Sequence, residues 1–291
     1  MRALTFAGLM MCTALTAQAQ GDTGVFDSQG VKIRYFAEGK GEAVVLIHGW
    51  MSDSSMWGKD AYGKPKLRPL DGFQAIALDC RGHGQSDKPH DKEKYGAELA
   101  ADVIRLLDHL KIKKAHLIGY SMGAFIAGKV AAAHPNRVLS VVYGGQAPLL
   151  TGESGSREID VFAKAVEEGK GLGPYLIEVT PHDRPKPTLA QANAMAQVMF
   201  ASKDVKALAA AGLSFGGLEV RIDDLKKCAA PILFIYGSKE SEKLKSRVSA
   251  LIKQFGNHQV KVVEGGDHIT TLANAEFGAA INSFLLANKG R

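Results

Sequence analysis

The sequence predicts an α/β domain, a mostly parallel sheet of about eight strands covered by helices on both faces and carrying a helical insertion. Three observations predict it. Short apolar runs of strand length recur through residues 43–143 and again through 231–263. Between several of them lie runs with apolar residues at helical spacing. The alternation then breaks from about residue 146 to 228, where helix-like pieces follow one another with no buried strand between them.

The elements follow in chain order. Residues 1–19 have the pattern of a signal peptide. Arg2 gives a positive start, residues 4–15 are mainly apolar but too short to span a bilayer, and Ala17-Gln18-Ala19 fits a small-x-small cleavage site. Met11 before Cys12 argues against a lipoprotein signal. The expected mature chain is exported, periplasmic or extracellular, and has no stable membrane anchor. Residues 25–27 and 31–37 flank Ser28-Gln29-Gly30, a hairpin signal. Strands are expected at 43–47, 73–79, 115–119, 138–143, 231–236 and 259–263. Leu99, Val103, Leu106, Leu107 and Leu110 place a helix over 98–110, and Leu244, Val248, Leu251, Ile252 and Phe255 place another over 244–255. An Ala-rich run at 124–133 and an amphipathic run at 273–287 complete the set.

The insertion holds helix-like pieces near 156–168, 188–200 and 203–212. Pro- and Gly-rich joints link them, among them Pro181-His182-Asp183-Arg184-Pro185-Lys186-Pro187. The expected units are therefore a core of 20–145 with 229–291 and an insertion of 146–228. A hydrophobic content of 46% over 291 residues supports one domain with an insertion, or at most two domains.

The net charge is +6, but the signs are mixed along the chain. Short clusters such as Lys111-Ile112-Lys113-Lys114 read as solvated helix ends, so no nucleic-acid partner is expected. The sequence offers neither a phosphate-binding glycine loop nor a metal-ligand cluster, and the expectation is no cofactor and no metal.

Gly119-Tyr120-Ser121-Met122-Gly123 is the most informative stretch. An apolar strand precedes it and an Ala-rich helix follows, which puts a serine at the apex of a sharp strand-to-helix turn. Such a turn strains the serine backbone and crowds its neighbours, so glycine is needed two positions before and two after. This is the arrangement of a nucleophile elbow, which lifts the serine Oγ above the sheet.

Further landmarks occur in order: Leu46-Ile47-His48-Gly49-Trp50, Asp79-Cys80-Arg81-Gly82-His83-Gly84-Gln85-Ser86, the run from Pro231 to Gly237, and Gly265-Gly266-Asp267-His268. Together with the elbow they resemble the α/β-hydrolase family from about residue 24 to the C-terminus. The resemblance implies that Ser121 is the nucleophile, that His268 is its base, and that 146–228 forms a helical cap over the active site. It implies an oxyanion hole made by the backbone N–H groups of Trp50 and Met122. For the triad acid it points to Glu240, three residues after the glycine that ends the 231–237 run, with Glu242 and Asp267 as alternatives. Asp79, Arg81 and Ser86 are expected to brace loops beside the elbow. The family's sheet order keeps the strands beside Cys80 and Cys228 apart, which implies two free thiols; Cys12 leaves with the signal peptide.

The implied activity is hydrolysis of a small-molecule carboxylic ester through an acyl-enzyme, without a cofactor. A serine at the elbow argues against haloalkane dehalogenases and epoxide hydrolases, which use an aspartate there. Alternatives are a carbon–carbon bond hydrolase or perhydrolase of the same superfamily, and a small-molecule-binding or sensing protein on the same scaffold. Oligomeric state is not readable from the sequence.

Overall fold

The computed structural model describes residues 22–58, 72–180 and 184–291. The expected signal peptide, and His182 of the Pro-rich joint, lie outside the described residues.

Eight strands form one sheet. They are β1 Asp22–Asp27, β2 Lys32–Gly39, β3 Gly41–Ile47, β4 Gly72–Leu78, β5 Ala115–Tyr120, β6 Val138–Gly144, β7 Ile232–Gly237 and β8 His258–Val263. Their order is β1-β2-β4-β3-β5-β6-β7-β8. The pairs β1–β2 and β2–β4 are antiparallel, and every other pairing is parallel. The central strands β5 and β6 are buried at every residue, as their continuous apolar character requires once helices cover both faces.

Side chains alternate across the pleat and so feed two cores. On one face Val45, Ile47, Leu117 and Val141 pack with Leu99, Val103 and Leu106 of α1 (Ala97–His109) and with Ile126 and Val130 of α2 (Met122–Ala133). On the other face Val44, Leu46, Ile118 and Val142 meet the C-terminal helix through Phe277, Ile281 and Phe284. Cys80 and Cys228 are buried, free thiols; β3, β5 and β6 separate the strands beside which they lie.

Between β6 and β7 the chain forms α3 Arg157–Glu168, α4 Gly173–Glu178, α5 Leu189–Met199, α6 Val205–Leu213 and the short α7 Ile222–Leu225. Phe162, Leu172, Leu176, Ala192, Ala196, Phe200 and Leu208 give this segment its own apolar cluster, and Trp50 of the core packs against it. A parallel bridge between Leu150 and Val220 joins its two ends. After β7 come α8 Glu242–Ile252 and, beyond β8, α9 Thr270–Ala273 and α10 Ala275–Ala287. The expected helix over 273–287 thus begins at Ala275, because the Asn274 side chain caps it by accepting the Glu276 N–H. The expected helix over 244–255 ends at Ile252, and Phe255 packs from the following turn.

Candidate active site

Strand β5 ends at Tyr120 and α2 begins at Met122, so one residue makes the turn. That residue is Ser121, at φ 56 and ψ −116. A left-handed φ costs a non-glycine residue on the order of 1–2 kcal/mol, and only the surrounding structure can hold it. The flanking glycines follow from contact distances. A Cβ on Gly119 would come 2.1 Å from the Gly123 carbonyl oxygen, and one on Gly123 would come 2.0 Å from that of Ile47. The Ser121 N–H donates to the Gly144 carbonyl at 2.8 Å, pinning the elbow to the end of β6.

His268 lies on the loop after β8. Its Nε2 is 3.0 Å from Ser121 Oγ, and its Nδ1 is 2.9 Å from Glu240 Oε1. Glu240 follows β7 in a turn closed by its own N–H on the Gly237 carbonyl, and it is 8% exposed. The other two carboxylates are engaged elsewhere. Glu242 points into solvent and pairs with Lys245. Asp267 accepts the N–H groups of Ile269 and Thr270 and the Thr270 hydroxyl at the start of α9. The Thr270 bonds, followed by that of Ile269, hold its carboxyl below the ordinary aspartate range. Geometry therefore joins Ser121, His268 and Glu240 and leaves Glu242 and Asp267 out.

The loop that carries Trp50 lies against Ser121. A Cβ on Gly49 would stand 3.3 Å from Ser121 Cβ and 3.8 Å from its Oγ. His48 fixes this loop: its Nδ1–H donates to the Gly49 carbonyl at 2.8 Å, while its Nε2 accepts the Cys80 N–H at 2.9 Å. Burial pushes the His48 imidazole down, which keeps the ring neutral and Nε2 an acceptor. Met122 is the first residue of α2, and its N–H therefore belongs to the helix N-terminus beside Ser121. The Trp50 side chain turns away from this role, since its Nε1–H donates to the Leu208 carbonyl at 3.0 Å and its ring meets those of Phe162, Tyr175 and Phe215 edge-on.

The Asp79 loop is a brace. Asp79 accepts the N–H groups of Ser54 and Gln85 at 2.8 and 2.9 Å and pairs with Arg34. Burial pushes its carboxyl up, but the Gln85 and Ser54 bonds outweigh that and hold it below its ordinary range. Arg81 forms a two-bond fork with buried Asp102 at 2.7 and 2.6 Å, and the Ser86 hydroxyl donates to the Asp79 carbonyl.

Sequence reasoning missed the aromatic set around Trp50, because Phe162, Tyr175 and Phe215 come from separate pieces of the insertion with no shared motif. It also assigned no role to Tyr120, whose hydroxyl donates to the His268 carbonyl at 2.7 Å. Among the described residues no cluster of His, Cys, Asp and Glu could hold a metal ion, and no helix is long and apolar enough to cross a membrane.

A sequence profile for the alpha/beta hydrolase fold matches residues 42–171, a stretch that includes the Trp50 loop, the brace and the elbow. The chain is a member of the α/β-hydrolase fold superfamily. This α/β-hydrolase is 39% identical over 117 residues to the dihydrolipoyllysine-residue acetyltransferase component of the acetoin cleaving system of Cupriavidus necator, a match covering 40% of the chain and 29% of that protein. It is 32% identical over 168 residues to an epoxide hydrolase of Caballeronia sordidicola, covering 56% of the chain and 48% of that protein. The α/β-hydrolase thus spans less than half the length of these curated relatives. An esterase from Exiguobacterium antarcticum superposes with a TM-score of 0.70 at 20% identity, covering 92% of the chain and 100% of the esterase, a likeness of fold.

Proposed function

We propose that this α/β-hydrolase is a serine hydrolase that cleaves carboxylic esters of small molecules through an acyl-enzyme on Ser121. The observation that carries the reading is the continuous path from Ser121 Oγ to His268 Nε2 and from His268 Nδ1 to Glu240, with the serine at φ 56. A serine hydroxyl becomes a competent nucleophile only when a base takes its proton, and 3.0 Å is within direct transfer range.

In the proposed reaction Ser121 Oγ attacks the ester carbonyl carbon while its proton passes to His268 Nε2. The carbonyl oxygen becomes an oxyanion, which the N–H groups of Trp50 and Met122 stabilise; each such donor is worth about 10²–10³ in rate. Glu240 holds the Nδ1–H and stabilises the imidazolium. When the tetrahedral species collapses, the ester C–O bond breaks and the Nε2 proton goes to the leaving alcohol. Water then repeats the sequence on the acyl-enzyme: it gives a proton to His268, its oxygen joins the acyl carbon, and the proton returns to Ser121 as the acid leaves.

The epoxide hydrolase relative marks a neighbouring chemistry, but the serine at the elbow favours acyl transfer here. The segment between β6 and β7 supports a cap that shapes the substrate pocket, since Trp50 both adjoins the elbow loop and packs into that segment. Export is part of the reading, on the signal-peptide pattern of residues 1–19, and N-terminal sequencing of the mature protein tests it. The catalytic test is labelling by a fluorophosphonate probe together with turnover of esters of increasing acyl length, an amide and a lactone. Rapid labelling of Ser121 with preferred ester turnover is expected. Labelling without turnover of any of these substrates would favour a binding role, and no labelling would remove the serine hydrolase reading.

A further inference from the structure

We propose that Tyr120 is a positioning residue that sets the distance between base and nucleophile by tying the main chain of His268 to the strand that carries Ser121. The proposal rests on the reading of Ser121 and His268 as nucleophile and base.

The need for such a tie follows from where His268 lies. Its side chain is 38% exposed, and the next residue, Ile269, is 77% exposed. Packing on its outer side therefore contributes little, and bonds must fix the loop. Most of those bonds run toward the acid. The Lys239 N–H donates to the Gly266 carbonyl at 2.9 Å, the Gly265 N–H donates to Ser238 Oγ at 2.9 Å, and Ser238 Oγ–H donates to Glu264. All three join the His268 loop to the loop that carries Glu240. They fix base against acid, and none of them reaches the strand that ends in the nucleophile.

The Tyr120 hydroxyl supplies that link. It donates to the carbonyl of His268 itself at 2.7 Å, and Tyr120 is the chain neighbour of Ser121. The tyrosine is held rigidly. It is 4% exposed, its ring lies 5.7 Å from that of Phe277 in an edge-on contact, and 5.5 Å from the His268 ring. Gly144 and Gly145 make room for it, since a Cβ on either would come within 2.8 or 2.7 Å of the tyrosine ring. Burial, followed by the charges of Glu240 and Asp267, pushes its ionisation up, so the hydroxyl remains a donor at any working pH. A rigid donor on the nucleophile strand and an acceptor on the main chain of the base set the Ser121–His268 separation in one bond.

The test is Tyr120→Phe, which keeps the ring and removes the hydroxyl. Proton transfer is steep in distance, and a misplacement near 1 Å costs about 10²-fold, so a partial loosening is expected to lower kcat about tenfold with KM within about twofold. The acid-limb midpoint of the pH–kcat/KM profile is expected to stay in place, because the bonds between the base loop and the acid loop are untouched. Phe277→Leu is the packing control. It loosens the same pocket without removing the bond, and is expected to lower Tm at least as much while kcat stays within about twofold. The proposal is overturned if Tyr120→Phe keeps kcat within twofold of the parent. It is equally overturned if Phe277→Leu loses as much kcat as Tyr120→Phe, because the effect is then packing. Ser121→Ala in the same assay separates the two levels: if it remains active, the underlying reading fails whatever Tyr120 does.

Discussion

Among the described residues two serine–histidine–glutamate constellations lie at opposite ends of the one sheet. The outer one is Ser121, His268 and Glu240. The inner one is Ser140, His116 and Glu42: His116 Nδ1 is 2.7 Å from Ser140 Oγ, and its Nε2 is 3.1 Å from Glu42 Oε2. The residue types and hydrogen-bonded connections match, but the settings differ. His116 and Ser140 are register partners on β5 and β6 and are fully buried. Their serine has ordinary strand geometry, and burial pushes the His116 imidazole down, keeping it neutral. A neutral ring has one donor and one acceptor, and here both are used, Nε2–H toward Glu42 and Nδ1 toward the Ser140 hydroxyl. Glu42 also accepts the Gly290 N–H at 2.7 Å, which ties the C-terminal tail to the sheet. The inner set is a lock across three strands. The outer set stands on loops at the C-terminal ends of the strands, with a strained serine and a half-exposed imidazole. Composition alone does not make a catalytic site; backbone strain and access do.

The comparison breaks most sharply at the two serines. Ser121→Ala is expected to abolish fluorophosphonate labelling and to lower ester turnover by on the order of 10⁴-fold or more while the protein stays folded. Ser140→Ala is expected to label and turn over within about twofold of the parent, since Ser140 is buried away from substrate. Equal loss in both variants, read by labelling rate and circular dichroism, would erase the distinction.

The two glutamates come next. Glu240→Gln is expected to lower kcat by up to about 10⁴-fold, because an amide cannot stabilise the imidazolium and favours the wrong tautomer. Glu240→Asp keeps the charge and shortens the reach, so it should retain more activity. Glu42→Gln, Glu242→Gln and Asp267→Asn are expected near the parent, with their carboxylates committed to His116, Lys245 and the start of α9. A collapse in Glu242→Gln or Asp267→Asn with Glu240→Gln intact would move the acid.

These two constellations also show what the sequence could reveal. The strands were legible because each is a short apolar run bounded by turn residues, and the elbow because its glycines are forced by contacts of about 2 Å to neighbouring carbonyls. Glu240 was legible only through its spacing from Gly237, with Glu242 and Asp267 left as alternatives; the turn that aims it at His268 shows only in three dimensions. Helices α4 and α7 escaped notice because six and four residues are too few to display a period. The inner constellation had no sequence signal at all. His116, Ser140 and Glu42 meet because β3, β5 and β6 are neighbours in the sheet, a fact of topology rather than of local pattern.

Stability gives a smaller and opposite contrast. Removing the Ser140 hydroxyl leaves a buried imidazole nitrogen without its donor, at a cost of about 2 kcal/mol. Ser121→Ala removes a hydroxyl that adjoins solvent and a half-exposed ring, so its urea midpoint should move much less. If Ser121→Ala proves the more destabilising, the inner set is not the lock described above.

The smallest effect expected concerns pH. Buried His116 and His83 are both held below the ordinary histidine value, first by burial, His83 down to about 3. In the unfolded chain each takes up a proton near pH 6.5. Below that pH the unfolded state binds more protons than the folded one, so stability falls as pH falls and continues to fall toward the folded-state value. For His83 alone the loss at pH 5.5 is about 1.3 kcal/mol relative to pH 7. His83→Gln and His116→Gln should each flatten the dependence of the urea midpoint on pH between 7 and 5.5, whatever they do to the midpoint at pH 7. An unchanged slope in His116→Gln would mean that Glu42 lets His116 take up its proton in the folded state. The inner constellation would then be an ion pair, closer in character to the charged imidazolium that the proposed reaction forms on the outer one.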